Sequence, residues 1–444
     1  MSISLSSIRD CLEGAIPAVL ATCDGDGVPN VAYISQVFYV DEGHVALSFQ
    51  FFNKTRQNIL ANPHATALVL DPHTAAFYRL HIRYLRTESS GPVFESMRAQ
   101  LAGIASHSGM EGVFRLLGSD IYAVESIEAV PGEPQPARPP RASRLAAVRR
   151  CSERLARSTS LDEALDTLLG GLAESLGIRH AMVLMHDEAQ QRLYTVASCG
   201  YPTSGVGSEI RVGQGVVGVA ARERTPVRIP HMTHAALYSQ AMRSSFEQGG
   251  AGLGPAQEIP YPGLSEPHSQ LAVPVLSGGR LLGVIFVESP QDLQFGYEEE
   301  DALVAIAGQL GATIDLFQSP EAHEGEVRAE PRPATAAGKP LAVRRFAAND
   351  SIFLDDAYLI KGVAGAILWK LVRDHVQQGR TEFSNRELRL DASLKLPDVC
   401  DNLEARLLLL QRRLQEHGPD LRIERTGRGR FHLHVGRPLQ LVDG

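Results

Sequence analysis

Alternating apolar and polar residues dominate roughly the first 130 positions and predict a β-rich module. The alternation predicts strands at residues 18–23, 28–35, 37–40, 44–49 and 64–70. Asp24-Gly-Asp-Gly27 separates the first two runs and is typical of a hairpin turn. A helical segment from about Lys54 to Leu60 follows the fourth run. The module is therefore expected to open with a short helix and to continue strand after strand.

Amphipathic segments alternate with strands in the middle of the chain. The pattern predicts helices at residues 141–158, 161–169 and 297–317, and strands at residues 180–185, 192–198, 270–275 and 280–288. In the first of these helices Leu145, Val148, Ser152 and Leu155 recur at coiled-coil spacing for two heptads. An α/β module is expected here.

A third pattern occupies roughly the last hundred residues. A helix from Asn402 to Glu416 runs into two short strands that begin at Leu421 and Phe431. Ser384 is expected to start a shorter helix as its N-cap, with Glu387 completing a capping box. Two helices followed by a hairpin predict an α+β module.

Two proline-rich breaks separate these patterns. Residues 133–140 and 320–340 lack periodic apolar positions, and proline at this density favours extended linkers. The predicted modules are residues 1–132, 141–319 and 341–444. Three modules agree with a length of 444 residues, at roughly 100 to 200 residues per domain.

The composition is that of soluble globular protein, with 44% hydrophobic and 21% charged residues. No run of eighteen apolar residues occurs and the N-terminus lacks a secretory pattern. We therefore expect no membrane span and predict a cytoplasmic location. The five cysteines are scattered singly, which argues against a disulfide framework and against a zinc site.

Charge is distributed unevenly along the chain. Residues 341–444 hold 17 lysines and arginines against 14 aspartates and glutamates, a net charge of +3, so the remainder carries −11 of the total of −8. Arg425, Arg428 and Arg430 lie in a glycine-spaced turn between the last two strands. A cationic module suits a polyanionic partner.

The C-terminal module resembles the winged helix-turn-helix output domains of OmpR-type response regulators. The resemblance rests on Gln411-Arg-Arg-Leu414 at the end of the presumed recognition helix and on the cationic hairpin after it. It implies DNA binding, with the helix in the major groove and the hairpin as the wing. The residues that it assigns to DNA are Arg406, Arg412, Arg413, Arg425, Arg428 and Arg430.

The same helix leaves a second interpretation open. Its predicted buried stripe, at about 100° per residue, consists of Leu403, Leu407, Leu410 and Leu414. Leu408 and Leu409 fall on the outer half, with Ala405 and Arg412, where a DNA-reading helix usually has polar side chains. The alternative is a dimerisation or partner-binding winged helix whose outer leucines are covered by protein.

The first module resembles the FMN-binding split barrel of the pyridoxamine 5'-phosphate oxidase-like superfamily. The stretch from Leu47 to Pro63 carries the resemblance, because a strand end, a cationic turn and a helix N-terminus converge on an anion. By this resemblance Lys54 and Thr55 hold the flavin phosphate. The other flavin contacts are assigned to Tyr33, Ser35, Ser48, Phe49, Gln50, Asn53 and Arg56. Since such barrels place the flavin between subunits, a homodimer is expected.

Two features limit what this resemblance implies. The Arg-x-His substrate clamp of the oxidases has no counterpart in residues 118–127, so oxidation of pyridoxamine phosphate is not expected. No residue group is placed as a general acid, base or nucleophile, so no catalytic residue is assigned. A barrel without flavin is the alternative to an FMN site.

The middle module resembles a GAF domain. The turn Gly213-Gln-Gly215, the strand ending in Leu271-Ala-Val-Pro-Val275 and the hairpin at residues 278–284 occur in the order of that fold. The stretch between Pro230 and Gln270 is expected to cover a ligand cavity. Within it, the candidate contacts to a haem or an aromatic ligand are His231, His234, Tyr238 and Met242. A solvated loop is the alternative.

The patterns predict a multidomain protein, and the resemblances imply that it contains a β split barrel of α+β type, an α/β GAF sensor domain and an α+β winged helix. The leading hypothesis is a cytoplasmic one-component transcriptional regulator that senses a small molecule or redox state and binds DNA as a homodimer. The runner-up is a flavin- or haem-dependent oxidoreductase whose other modules regulate or dimerise it. No metal site is assigned.

Overall fold

The computed structural model describes most of the three modules. The described residues are 3–12, 17–34, 37–50, 53–107, 116–136, 144–230, 259–318, 339–391, 394, 403–427 and 429–443.

The first module is a sheet of strands interrupted by two helices. The strands are β1 (Ala18–Cys23), β2 (Pro29–Ile34), β3 (Phe38–Asp41), β4 (His44–Phe49), β5 (His64–Leu70), β6 (Phe77–Glu88) and β7 (Gly118–Ala129). A 3-10 helix (Ser6–Leu12) precedes them, α1 (Lys54–Ala61) follows β4, and α2 (Pro92–His107) follows β6. The seven strands pair antiparallel in the order β2-β1-β5-β6-β7-β4-β3. Every second residue of β1 and β5 is buried, as the two-residue period of a strand requires.

The middle module is a sheet that is buried on both faces. Its strands are β8 (His180–Asp187), β9 (Arg192–Cys199), β10 (Glu209–Arg211), β11 (Val227–Ile229), β12 (Ser269–Ser277) and β13 (Arg280–Ser289). They pair antiparallel in the order β10-β9-β8-β13-β12-β11. Its helices are α3 (Arg144–Leu155), α4 (Leu161–Leu176), α5 (Gly215–Glu223) and α6 (Tyr297–Gln318).

The apolar runs in these strands follow from this double burial. In β13, Ile285 and Val287 join the core under α3, α4 and α6, whereas Val284 and Phe286 join the core under α5. Because neighbouring residues of a strand point to opposite faces, both sets must be apolar.

The C-terminal module contains two small sheets and three helices among its described residues. Its elements are β14 (Leu341–Phe346), β15 (Ser351–Leu354), β16 (Ala357–Ile360), α7 (Gly362–Gln378), β17 (Glu382–Ser384), α8 (Asn385–Leu390), α9 (Leu403–His417), β18 (Leu421–Gly427), β19 (Arg430–Val435) and β20 (Leu439–Asp443). The sheet orders are β16-β15-β14-β20 and β17-β19-β18. The predicted capping box is confirmed: Glu387 N–H donates to Ser384 Oγ at 3.3 Å, and Ser384 N–H donates to the Glu387 carboxylate at 3.1 Å.

The coiled-coil seam predicted on α3 coincides only in part with the face that packs, since Leu155 and Val148 pack against the core but Leu145 does not. Ala147, Cys151 and Leu155 are buried, whereas Leu145 is 77% exposed. A Cβ on Gly171 of α4 would lie 2.8 Å from Cys151 Sγ, so this glycine allows the two helices to approach closely. Helix α3 therefore packs against its own chain.

The outer modules dock on the two faces of the middle module. Helix α2 packs against α5 and β11, where Ala99 is fully buried and Arg98 pairs with Glu223 at 2.5 Å. On the other face α9 contacts α4, α6 and β9, and the apolar residues of both modules form one continuous core. A conformational change in the middle module can therefore alter its contacts with both of the modules that pack against it.

Candidate functional site

The N-terminus of α1 forms a cradle of hydrogen-bond donors at the end of β4. Asn53 caps the helix, and its side-chain oxygen accepts a hydrogen bond from Arg56 N–H at 3.0 Å. The backbone N–H groups of Lys54 and Thr55 belong to the first turn, where a helix has no internal acceptor for them. Such a turn favours an anion.

Lys54 is held by a carboxylate from the β1–β2 hairpin. Its Nζ lies 2.9 Å from Asp24 Oδ2, and this contact lowers the pKa of Asp24. Next to it, Thr55 Oγ1 accepts a hydrogen bond from Asn30 Nδ2 at 2.9 Å. The hairpin that the sequence predicts at residues 24–27 thus supplies a carboxylate that competes with any bound anion for Lys54.

Arg56 points into the barrel. It forms an ion pair with Asp120 of β7, and the two side chains are 11% and 5% exposed. Its Nη2 donates to Thr87 Oγ1 at 2.8 Å, and its guanidinium lies 4.2 Å from the centre of the Phe49 ring. Burial lowers the pKa of Arg56, but Asp120 and Tyr84 together raise it by more. Arg56 therefore ties α1 to β7 and is not positioned for an anion in the cradle.

The remaining residues assigned to flavin lie on two strands. Ser48 and Phe49 end β4, and Gln50 Nε2 donates to Ser48 Oγ at 3.3 Å. Tyr33 lies on the edge strand β2 and is 83% exposed. Ser35 lies outside the described residues.

The cradle fits a phosphate monoester through a smaller donor set than the sequence predicts. The first-turn N–H groups, the Thr55 hydroxyl and the Lys54 ammonium can meet its oxygens once Lys54 leaves Asp24. The sequence does not assign Asn30 or Asp24 to this site, because nothing local to β2 or the hairpin indicates that α1 packs beside them.

The middle module buries a carboxylate beside the segment expected to form the lid. Glu288 is 2% exposed and accepts hydrogen bonds from Leu264 N–H at 2.7 Å and from Gln270 Nε2 at 3.1 Å. Burial raises the pKa of Glu288 to about 7 against the lowering effect of these donors. The predicted lid residues His231, His234, Tyr238 and Met242 lie outside the described residues.

Among the described residues, no group of three or more histidines, cysteines, aspartates and glutamates is arranged to hold a metal ion. None of the described helices is long and apolar enough to span a membrane.

The outer half of α9 faces the middle module. Arg406 pairs with Asp187 at 2.5 Å, with both side chains 7% exposed, and its guanidinium lies 4.3 Å from the centre of the Tyr194 ring. Arg412 contacts Asp162 at 2.5 Å and Asp166 at 2.7 Å. The sequence analysis assigns these two arginines to DNA. In this arrangement they instead form ion pairs with aspartates of the middle module.

The remaining arginines assigned to DNA have different surroundings. Arg413 donates to the Leu359 carbonyl oxygen at 3.1 Å and pairs with Glu416 at 2.6 Å. In the wing, Arg425 pairs with Glu404 at 2.5 Å, and Arg430 is exposed at the start of β19. Arg428 lies outside the described residues.

Comparison with solved structures finds partial likenesses to two modules. A GAF domain from an Acinetobacter phosphoenolpyruvate-protein phosphotransferase is 25% identical, over 39% of this chain and 92% of that one, with a TM-score of 0.30. A free methionine-R-sulfoxide reductase from Neisseria meningitidis is 19% identical, over 39% and 93%, with a TM-score of 0.30. An FMN-binding protein from Syntrophomonas wolfei subsp. wolfei is 17% identical, over 29% and 86%, with a TM-score of 0.25.

Family models match two of the three modules. A comparison with curated proteins found no match. Residues 5–131 match the pyridoxamine 5'-phosphate oxidase model, and residues 160–314 match the GAF domain model. These ranges lie within the predicted modules 1–132 and 141–319. The chain therefore combines a pyridoxamine 5'-phosphate oxidase-like domain, of a kind consistent with FMN binding, with a GAF domain.

Proposed function

We propose that this chain is a cytoplasmic, homodimeric sensory regulator of transcription. The oxidase-like and GAF domains detect a small molecule or a redox state, and the C-terminal module binds DNA as a winged helix. The observation that carries the proposal is the order of elements in that module. Helices α8 and α9 are followed by the β18–β19 hairpin, which β17 joins as a third strand. In helix-turn-helix proteins the second helix reads the major groove.

The wing presents a cationic surface to a polyanion. Arg430 is exposed and the Arg425 side chain is 31% exposed, and both lie beside Gly427 and Gly429. Gly429 has a φ of 68°, a conformation that favours glycine and brings the backbone of the turn close to a partner. Each phosphate contact displaces condensed counterions, so wing contacts make affinity depend on salt.

Fluorescence anisotropy of the full chain on a random and a selected duplex tests DNA binding. If Arg430 contacts a phosphate, Arg430→Ala flattens the slope of log affinity against log salt by about 0.9 on both duplexes. The matched control is Arg79→Ala, which removes a 47% exposed arginine from the oxidase-like domain. If the slope of log affinity against log salt is the same for Arg430→Ala and wild type, Arg430 does not contact DNA.

FMN is the cofactor that we propose for the oxidase-like domain. The first turn of α1, with Lys54 and Thr55, would hold its phosphate, and Ser48, Phe49 and Gln50 would border the ring system. A flavin supplies redox chemistry of its own, so the protein need only position it and control access to it. The absorption spectrum of the purified protein reports whether flavin is bound.

The burial of the outer leucines favours a second candidate. Leu408 and Leu409 are 0% and 4% exposed because the same chain covers them. A permanently docked C-terminal module would suit a flavin- or haem-dependent oxidoreductase in which this module regulates or dimerises the enzyme and does not bind DNA. Flavin or Soret absorption without affinity for any duplex would favour this candidate.

A further inference from the structure

We propose that the GAF domain is an intramolecular competitor of DNA, because it covers the face of α9 that would enter the major groove. The inference rests on the proposed function, since it explains how DNA binding is switched off. The occupant of this face is the acidic surface of Asp162, Asp166 and Asp187 together with β9.

The apolar part of the contact covers the outer half of α9. Ala405, Leu408 and Leu409 are 0%, 0% and 4% exposed. A Cβ on Gly207, in the loop between β9 and β10, would lie 3.7 Å from Leu409 Cδ1. This face cannot meet base edges while the loop and β9 lie against it.

The polar part of the contact pairs cations of α9 with carboxylates. Arg412 engages two aspartates in the first turns of α4, and Arg406 engages Asp187 at the end of β8. These carboxylates take the place of the phosphates and base acceptors that arginines meet on DNA. Docking on the GAF domain and docking on DNA therefore use the same guanidinium groups and exclude each other.

The contact between the two modules centres on α9 and extends to residues on either side of it. A cleft of about 600 Å³ lies between the wing and the GAF domain, bordered by Ser160, Phe317 and Arg425. Two further polar contacts link the C-terminal module to the GAF domain, one between Lys361 and Glu209 at 3.2 Å and one between Glu416 and Ser204. Since α4 and β9 are elements of the GAF core, a ligand that shifts them favours one docking state over the other.

Reversal of charge on α4 tests the competition in the full chain. Asp162→Lys/Asp166→Lys removes both carboxylate partners of Arg412, and these side chains are 36% and 68% exposed, so neither belongs to the GAF core. The control Glu153→Lys/Glu174→Lys makes the same change of charge at sites that are 48% and 64% exposed and that pair with Arg149 and Arg154 of α3 instead. Adding Arg412→Asp to the first variant rebuilds the ion pairs with opposite signs.

Two measurements are made on each protein: hydrogen exchange of residues 403–417 and anisotropy with duplex DNA. We expect faster exchange and at least roughly tenfold tighter DNA binding in Asp162→Lys/Asp166→Lys. A roughly tenfold gain in affinity results when the DNA-binding state rises from about a tenth of the population to nearly all of it. The control should match wild type. The triple variant should recover slow exchange, which also shows that the charge reversal leaves the fold intact.

Two outcomes separate this inference from the proposed function. If exchange and DNA affinity are the same in wild type and in Asp162→Lys/Asp166→Lys while wild type binds DNA, the competition is overturned and the function stands. If exchange rises but no protein binds DNA, the GAF domain does hold α9, and DNA binding as the function is overturned.

Discussion

At the scale of single residues, the proposed phosphate site contains its own competing carboxylate. Lys54→Ala is expected to weaken FMN binding by about 1.5 to 3 kcal/mol, typical of hydrogen bonds to charged groups. Asp24→Asn should have the opposite effect, because Lys54 then loses the partner that lies 2.9 Å from its Nζ. Titration of the apoprotein with FMN, followed by fluorescence quenching, measures both.

Arg83→Ala is the matched control for these variants, since this arginine is 43% exposed on β6 and paired with Glu125. It should bind FMN as wild type does. Equal affinities in wild type, Lys54→Ala and Asp24→Asn would remove Lys54 from the site.

Glu288 predicts a pH dependence of stability. Its pKa is about 7 in the folded chain against 4.5 for an ordinary glutamate in water, so the folded state holds the proton more tightly. This stabilisation is fully present below pH 4.5 and is lost as the pH rises to about 7. At 1.36 kcal/mol per pKa unit, the loss is on the order of 3 kcal/mol.

The comparison that isolates Glu288 is the difference between wild type and Glu288→Gln in urea denaturation at pH 5 and pH 8. His180, whose pKa burial lowers, adds an opposite slope to both proteins and cancels in this difference. We expect wild type to lose stability relative to Glu288→Gln at the higher pH. A pH-independent difference would show that Glu288 is ionised throughout.

At the scale of elements, two glycines of α6 have opposite roles. A Cβ on Gly311 would lie 2.4 Å from the backbone oxygen of Leu276 in β12, whereas a Cβ on Gly308 would meet nothing within 4 Å. Gly311→Ala should push the helix from the sheet and destabilise the GAF domain by about 1 to 3 kcal/mol. Gly308→Ala should stabilise the helix by up to about 1 kcal/mol. Thermal unfolding of both variants measures these effects. An unchanged melting temperature for Gly311→Ala would contradict this packing.

Helix α9 is the element in which local pattern and tertiary packing differ most. Its apolar stripe predicts the inner face correctly, since Leu403, Leu407, Leu410 and Leu414 are all buried. The outer half is buried as well, and a helix that is covered all round lies between two packing partners. In the sequence, Leu408 and Leu409 indicate that protein covers the outer half of the helix, but they do not identify which part of the protein covers it.

At the scale of the whole molecule, a dimer is the expected assembly. Strand β2 ends the sheet of the oxidase-like domain and exposes Val31 and Tyr33 by 66% and 83%. Light scattering should give about twice the chain mass of 48.1 kDa. Val31→Lys should yield a monomer, because a charge would be buried at the contact.

The control for this variant is Val304→Lys, which places the same charge on α6 at a residue that is 43% exposed. It should remain dimeric. A wild-type monomer at micromolar concentration would contradict both the dimer and a flavin shared between subunits.

The sequence by itself determined many of the local elements and the order of the oxidase-like and GAF modules. It did not predict β6, β7, α2 or the elements from β14 to α7. Periodic apolar residues, the capping box at Ser384 and the hairpin at residues 24–27 act over a few positions, so their consequences can be read locally. The cradle at the start of α1 was predictable for the same reason, because Asn53, Lys54 and Thr55 are neighbours in the chain.

Only the tertiary structure decided which charges meet. Lys54 pairs with an aspartate 30 positions away, Arg406 with one 219 positions away, and Arg412 with one 250 positions away. Arginines on an amphipathic helix look alike in sequence whether they face DNA, water or another domain. Their partners depend on how separately folded modules pack, and that packing is set by the sum of many weak contacts along whole surfaces rather than by any local pattern.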